Sequence, residues 1–553
     1  MISFISAASI VLLLGYVLGR LSLDDNLSST CKIMPGDAKW PSQKQWDVFN
    51  ATIDGALIRT IPIGSPCHNP MFDVERCALV RSQWHTAKFH EQSSSSVMAA
   101  LFANKSCDPF TDVDDQCVVG TYVQYAVNVS KPVHVIRTIQ FVKEHNIRFV
   151  VRNTGHDYMG KSTGAGALAV WMHHIQDREW TVSYLSETYN GPAVKAYAGV
   201  TGEMLYEDAA QRGYAIVAGE CPTVGFAGGY IQGGGHSVLA STYGLAADQA
   251  LAFEVITTEG KFVQASPTMN SDLFWALSGG GGGTYGIVWS VTVKARVDMP
   301  VTLAQLSFTS SNISADTFWE AISAKDLFAL GPVFAPGLDK AAVLGLTKPL
   351  RTKLNALCIN YTFSTTSYSN IRSATLAADA MVGELQVSIY QFGGRLLPRS
   401  LWESNDTLAS LLGVLKGIVD DGASILDVAI RPTLDAAGHP HNAVLPAWRE
   451  SERLLLPILP WDDYASLEQM HLLAHKLTWD YGEPLRALTP DSGAYLNEAD
   501  PAEPQWQTAF YGSNYNSLLK IKDKWDPSQL LYGATAVGGD RWVVQQDGRL
   551  CKA

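Results

Sequence analysis

Two periods of apolar residues run through the chain, one helical and one strand-like, and they change places at glycine-rich stretches. From Pro132, apolar Val135, Ile136, Ile139 and Val142 recur at helical spacing, and proline suits a first helical turn, so a helix is predicted there. Residues 147–151 form a short buried strand that runs into a glycine loop, and 167–172 return as another strand. A helix over 203–212 and a strand over 214–217 lead to a second glycine loop. A-F-E-V-I-T-T and K-F-V-Q-A, turned at Glu259-Gly260, predict a hairpin, and S-D-L-F-W-A-L then predicts a helix before five glycines and a β-branched strand. Gly281 to Gly286 formally satisfies G-x-G-x-x-G, but a helix before it and a strand after it reverse the order a dinucleotide-binding turn requires.

Near Pro300 the pattern changes. Strand candidates at 303–308, 354–363, 385–392 and 425–430 alternate with helices near 315–329 and 369–381. This order suits an α+β unit, an antiparallel sheet covered by helices on one side. Upstream, residues 31–120 are rich in Pro, Cys and Asp, with W-P-S-Q-K-Q-W reading as a loop that enters a helix. A chain of 553 residues is too long for one ordinary core, so two or more domains are expected.

The densest chemical signal is 219–245, G-E-C-P-T-V-G-F-A-G-G-Y-I-Q-G-G-G-H-S-V-L-A-S-T-Y-G-L, headed by Cys221. Upstream stands R-N-T-G-H-D-Y-M-G-K-S-T-G-A-G-A-L, 152–168, centred on His156. Glycine at such density lets successive N–H groups point inward, which suits a pyrophosphate or an anionic ring edge. A lone histidine in such a loop is ordinarily a turn residue, and a lone cysteine is ordinarily buried or disulfide-bonded. The conjunction of both loops with N-Y-N-S-L-L-K-I-K-D-K-W-D-P, 514–527, is more specific. Together they resemble the berberine-bridge-enzyme-like branch of the vanillyl-alcohol-oxidase superfamily, with its PCMH-type FAD-binding domain, and are most like its fungal members.

That resemblance implies FAD held by two covalent links, His156 to the flavin 8α-methyl carbon and Cys221 to ring carbon 6. It places Arg152, Asn153, Thr154, Gly155, Asp157 and Gly160 of the first loop against the cofactor. From the second loop it adds Thr223, Val224, Gly225, Gly228, Gly229, Tyr230, Gly233, Gly234, Gly235 and His236. Tyr230 departs from the histidine that plant members often carry. Asn514 and Tyr515 are the positions of the C-terminal motif implied to face flavin, while the rest of that motif reads as an amphipathic packing helix. The implied fold is α+β: a PCMH-type FAD-binding domain over 20–300, an inserted substrate domain built on an antiparallel sheet over 301–480, and a berberine-bridge-like segment over 481–553 that returns to the first.

A formal charge of −12, with no run of lysine or arginine, excludes a nucleic-acid partner. The first 19 residues carry no charge and culminate in I-V-L-L-L-G-Y-V-L-G, expected as a secretory signal, with an uncleaved anchor as the alternative. Seven N-x-S/T sequons fit that compartment, at Asn26, Asn50, Asn104, Asn128, Asn312, Asn360 and Asn405. Setting aside Cys221 for flavin and Cys358, in a strand-like run, leaves six of eight cysteines for disulfides. Local pairs Cys67–Cys77 and Cys107–Cys117 would leave Cys31 for Cys551, although spacing does not fix connectivity. With no C-x-x-C, zinc is not expected, and His471 and His475, at i, i+4, lack the glutamate of H-E-x-x-H.

Flavin accepts hydride, so an alcohol or amine substrate also needs a base for its O–H or N–H proton. The segment Y-L-N-E-A-D, 495–500, supplies the leading candidates, Glu498 with Tyr495 beside it. Many relatives read Y-x-N-Y-x-D there, so Glu498 puts a carboxylate where they carry a phenol; a solvated acidic loop before Pro501 is the competing reading. Tyr511 and Tyr390 are further candidates for the cavity. The expected protein is a secreted FAD-dependent oxidase that transfers hydride from a small organic substrate and is reoxidised by dioxygen to give hydrogen peroxide. A dehydrogenase with another acceptor, an oxidative cyclase of secondary metabolism and a non-catalytic binding protein are the alternatives. No G-x-S-x-G elbow supports an esterase.

Overall fold

Two short parallel strand pairings, set among strands that otherwise pair antiparallel in the described residues, mark where the first glycine loop sits. The computed structural model describes residues 31–308, 314, 317, 331–383 and 386–553. The expected signal segment, the sequons at Asn26 and Asn312, nearly all of the helix expected over 315–329, and Leu385 lie outside the described residues. Strands β1 (Leu57–Arg59), β2 (Tyr125–Asn128), β3 (Phe149–Arg152) and β4 (Leu168–Trp171) form a sheet in the order β1-β2-β4-β3. Both β2 and β3 run parallel to β4. The helix Pro132–Glu144 connects β2 to β3 and buries Val135, Ile139, Phe141 and Val142 against Val127, Phe149 and Leu168. No helix joins β3 to β4; that connection is the His156 loop itself.

A second sheet is antiparallel throughout. Its strands are β5 (Arg178–Leu185), β6 (Asn190–Tyr197), β8 (Ala250–Ile256), β9 (Phe262–Ala265) and β10 (Ile287–Lys294), in the order β5-β6-β10-β8-β9. The short β7 (Tyr214–Ala215) pairs separately with β11 (Arg296–Val297). The helix Gly202–Gln211 starts where the Thr201 hydroxyl accepts from the Met204 N–H. The helix Ser271–Leu277 buries Leu273, Phe274, Ala276 and Leu277 in the largest core, with Phe253 and Leu518.

Beyond Pro300, β12 (Val301–Ser307), β13 (Val333–Pro336) and β14 (Thr362–Tyr368) pair in the order β13-β12-β14. Strands β15 (Tyr390–Phe392), β16 (Arg395–Pro398) and β17 (Ser424–Ala429) all pair antiparallel with the long β18 (Ser451–Pro460). Helices Ile371–Val382 and Asn405–Asp420 pack on these strands. Two expectations need correction. Residues 354–363 are not one strand: Lys348–Ala356 is a helix with Pro349 in its first turn and Leu350 and Leu354 buried on one face, and β14 begins only at Thr362. Cys358 follows that helix at φ 54° and is exposed, not buried in a strand. The strand expected over 385–392 shrinks to Tyr390–Phe392, because Ser388 is left-handed at φ 70° and the Val387 N–H donates to the His85 carbonyl (3.0 Å). β18, whose last seven residues are L-L-L-P-I-L-P, is a strand beyond those expected.

The chain then returns. The helix Tyr515–Trp525 buries Leu518 and Lys522, and the Lys522 ammonium donates to the carbonyls of Thr284 (2.9 Å) and Leu531 (2.8 Å) and to Asp526 Oδ2 (2.6 Å). Disulfides join Cys67 to Cys77, Cys107 to Cys117, and Cys31 to Cys551 across 520 residues. Among the described residues no helix is long and apolar enough to cross a membrane, and no cluster of three metal-ligating side chains occurs.

Candidate active site

The two glycine loops meet on the wall of one cavity of about 1440 Å³, more than the 300–1,000 Å³ usual for one small ligand. Residues 153–157 of the first loop line it, as do 219–225, 228–230 and 236–238 of the second. Gly282 and Gly283 bring the third glycine run to the same wall. Bare backbone is needed where these loops touch: a Cβ on Gly282 would lie 2.7 Å from Gly229 Cα, and one on Gly225 would lie 2.3 Å from Asn153 Nδ2.

His156 and Cys221 converge there. Cys221 Sγ is 3.9 Å from His156 Nε2, and Thr223 Oγ1 lies 2.5 Å from the same nitrogen and 3.7 Å from the sulfur. Burial, reinforced by the charges of His90 and Arg152, pushes the His156 imidazole down to about 4, so it is neutral at physiological pH. Arg152 stands behind the loop rather than on the wall: it is fully buried and donates to the Ser93 carbonyl from Nη2 (2.9 Å) and Nε (3.2 Å).

Facing the same cavity, His236 Nε2 lies 3.1 Å and 3.3 Å from the two oxygens of Glu498, a contact that spans 262 residues. Burial opposes a charge on His236, but the Glu498 carboxylate, by charge and hydrogen bond, and Glu220 outweigh it and raise the imidazole to about 9. Tyr495 also lines the cavity; its hydroxyl accepts from Asn497 Nδ2 (2.8 Å), which also donates to the Gly229 carbonyl (2.8 Å). Tyr390 is on the wall too, its phenol pushed up to about 12 by burial.

Other expected residues take different places. Tyr511 is buried in the core with its hydroxyl donating to the Thr535 carbonyl (2.9 Å), and it does not line the cavity. Asn514 donates to the carbonyls of Ala443 and Val444 (3.2 Å each), and the Tyr515 hydroxyl lies 3.4 Å from Asp540 Oδ1, so both are off the wall. Gly160 packs against the Phe102 ring, while Gly234 and Gly235 form a turn whose carbonyls accept from Ala247 and Ala246. Gly233 leaves room for Asn497, whose Nδ2 would be 2.5 Å from a Cβ there. Sequence reasoning passed over Tyr158, Lys161, Glu220, Gln232 and Asn497, all on the wall. Each sits inside a stretch already singled out, but none has a spacing that sets it apart from its neighbours.

The wall fits FAD. Asn153 Oδ1, Gln232 Oε1 and His236 Nδ1 are buried polar atoms on it that lack a protein partner among the described residues, an expensive condition that a polar ligand relieves. The sequence matches the FAD binding domain family over residues 123–266 and the berberine and berberine-like family over 494–537. It is 41% identical to the FAD-linked oxidoreductase patO of Penicillium expansum, over 98% of each chain. The VAO-type flavoprotein MtVAO615 of Myceliophthora thermophila C1 superposes with a TM-score of 0.91 at 36% identity, covering 95% of this chain and all of that one. At 18% identity and a TM-score of 0.61, the glucooligosaccharide oxidase of Acremonium strictum, described with 6-S-cysteinyl, 8α-N1-histidyl FAD, shares the fold over 75% of this chain and 91% of its own. With its FAD-binding loops, its inserted antiparallel strands and its C-terminal return, this chain belongs to the fungal berberine-bridge-enzyme-like FAD-linked oxidoreductases of the vanillyl-alcohol-oxidase superfamily.

Proposed function

We propose that this enzyme oxidises a small organic alcohol or natural-product intermediate, with Glu498 as the proton acceptor and FAD tethered through both His156 and Cys221. When bound, FAD supplies the hydride acceptor and the route by which dioxygen takes the electrons away as hydrogen peroxide. The observation that carries the reading is the Glu498–His236 contact in the cavity that also holds the His156–Cys221 pair. Glu498 takes the hydroxyl proton of the substrate, and the His236 N–H bonded to it fixes the carboxylate's orientation. The neutral state of His156 suits a nucleophilic nitrogen. Thr223 and Cys221 stand at Nε2, so Nδ1 is the nitrogen left for the link. Three disulfides and exposed sequons at Asn104, Asn360 and Asn405 support passage through the secretory pathway.

The test is anaerobic bleaching of the flavin spectrum against a panel of alcohols, sugars, terpenoids and polyketides, followed by readmission of air. Bleaching by an alcohol and recovery in air with one peroxide per turnover is expected. Bleaching without recovery in air would identify a dehydrogenase, and no bleaching by any alcohol would overturn the reading.

A further inference from the structure

We propose that the Lys161 ammonium binds the diphosphate of FAD and is the main source of the enzyme's preference for that cofactor over phosphate-free flavin. Among the described residues, the cavity wall carries three candidate cations: Lys88, Lys161 and His236. His236 is held by Glu498, and Lys88 Nζ, largely exposed, lies 3.8 Å from Glu203 Oε2. Lys161, in contrast, has no hydrogen bond or ion pair to protein among the described residues. Its nearest carboxylate in sequence, Asp157, is committed to the loop: Oδ1 accepts from the Met159 N–H (3.1 Å) and Oδ2 from the Ser162 N–H (2.9 Å). Burial lowers the Lys161 ammonium, and the charge of Asp157 only partly opposes it.

The side chain is held in place by its stem. A Cβ on Gly533 would lie 2.6 Å from Lys161 Cγ and 2.9 Å from Cδ, so the returning C-terminal segment packs on the methylenes, and Lys161 lines the cavity together with Ser162 and Tyr532. A half-buried cation on a ligand wall, with no hydrogen-bonded carboxylate among the described residues, suits an anion in the ligand. FAD has one anionic part, its diphosphate. The flavin end is already assigned to His156 and Cys221, so Lys161 marks the other end of the same molecule.

The inference rests on the tethering proposed above, and its test separates the two. The His156→Ala/Cys221→Ala double variant makes flavin binding reversible, and titration with FAD and with riboflavin by protein fluorescence gives a Kd for each. Adding Lys161→Met should weaken FAD roughly 10- to 100-fold, as loss of a hydrogen bond to a charged group does, while riboflavin changes less than about threefold. Before any change at position 161, FAD affinity should fall with salt and riboflavin affinity should not; Lys161→Met should flatten the FAD dependence and Lys161→Arg restore it. Equal weakening of both flavins would show that Lys161 only packs, and an unchanged FAD affinity would also overturn the proposal. If Lys161→Met does not fold, the salt comparison alone decides: identical salt behaviour of FAD and riboflavin overturns it. Flavin that stays covalently bound in the double variant would sink the tethering instead, and Lys161 is then read in the otherwise native chain as the fraction of protein flavinylated under limiting FAD, expected to fall for Lys161→Met and to recover for Lys161→Arg.

Discussion

Replacing Glu498 by glutamine keeps the side chain's shape but removes the proposed proton acceptor and the charge that His236 feels. In the native enzyme His236 stands at about 9 against an ordinary 6.5, a difference worth about 3 kcal/mol. A raised histidine stabilises the fold fully below its unfolded value, and that contribution is lost as pH rises through the folded value. The native enzyme should therefore be more stable than Glu498→Gln at pH 6, by up to about 3 kcal/mol, with the gap closing as pH passes through 9. Without the carboxylate, burial acts on His236 against Glu220 alone, and the imidazole should become neutral at lower pH. Chemically, loss of a general base typically slows the step it serves by ~100- to 10,000-fold. Stopped-flow bleaching of the flavin by substrate, without oxygen, measures that step, and air reoxidation of dithionite-reduced enzyme controls for damage elsewhere. An unchanged bleaching rate, with no pH-dependent stability gap, would refute both the base assignment and the electrostatic argument. Suspicion would then move to Tyr390, whose phenol at about 12 would demand alkaline pH.

Further expectations follow from the same geometry. His156→Ala and Cys221→Ala should each retain flavin after acid denaturation through the remaining link, whereas complete release of flavin from the denatured native enzyme would contradict two-point attachment. Lys522→Met strips the partner from a carboxylate, Asp526, that is fully buried, so unfolding in denaturant should show a loss of about 3–5 kcal/mol; a loss below 1 would mean the pair is not desolvated. Protein expressed in a eukaryotic secretory host should lose mass on glycan removal, with occupancy at Asn104, Asn360 or Asn405, and should show six cysteines oxidised by peptide mapping. A cytosolic product with free thiols throughout would contradict the compartment.

What could be read from sequence depended on whether one local period decided the structure. The helix from Pro132, the hairpin at Gly260 and the helix–glycines–strand run from Ser271 were legible because each carries its own apolar period and its own stop signal. The strand expected over 354–363 overlaps the end of the helix Lys348–Ala356, whose buried Leu350 and Leu354 at i, i+4 mark a helical face, and only Thr362 and Phe363 of it are strand. β15 fell short for a different reason: His85, 302 residues away, takes over the backbone of Val387. In the site, the residues that glycine loops carry were visible, since each loop is continuous in sequence. The off-wall positions of Tyr511, Asn514 and Tyr515 were not, because which face of a short helix meets a cavity is decided by partners such as Thr535 and Ala443. Likewise Glu498 stood out as a carboxylate, but its bond to His236 is a tertiary fact.

The placement of Glu498 also explains why cofactor attachment and proton transfer should be separable. Its segment is registered from two sides. The Gly394 N–H donates to the Glu498 carbonyl (2.9 Å) and the Leu396 N–H to the Gly493 carbonyl (2.8 Å), which ties it to the strands of the inserted domain. On the other side, Asn497 donates to Gly229 of the second glycine loop, and the carboxylate itself reaches His236. The proposed covalent anchors instead sit on the loop after β3, where Asp157 accepts from the Ser162 N–H and Thr223 meets His156, and at the head of the 219–245 stretch, ahead of the Gly229 and His236 contacts with this segment. On the proposed assignment, the strands that register this segment position the base, while flavin retention should depend on the two loops that carry His156 and Cys221. Changes at Gly394, where a Cβ would lie 2.4 Å from the Glu498 carbonyl oxygen, should accordingly act on the rate of flavin reduction and leave flavin content intact.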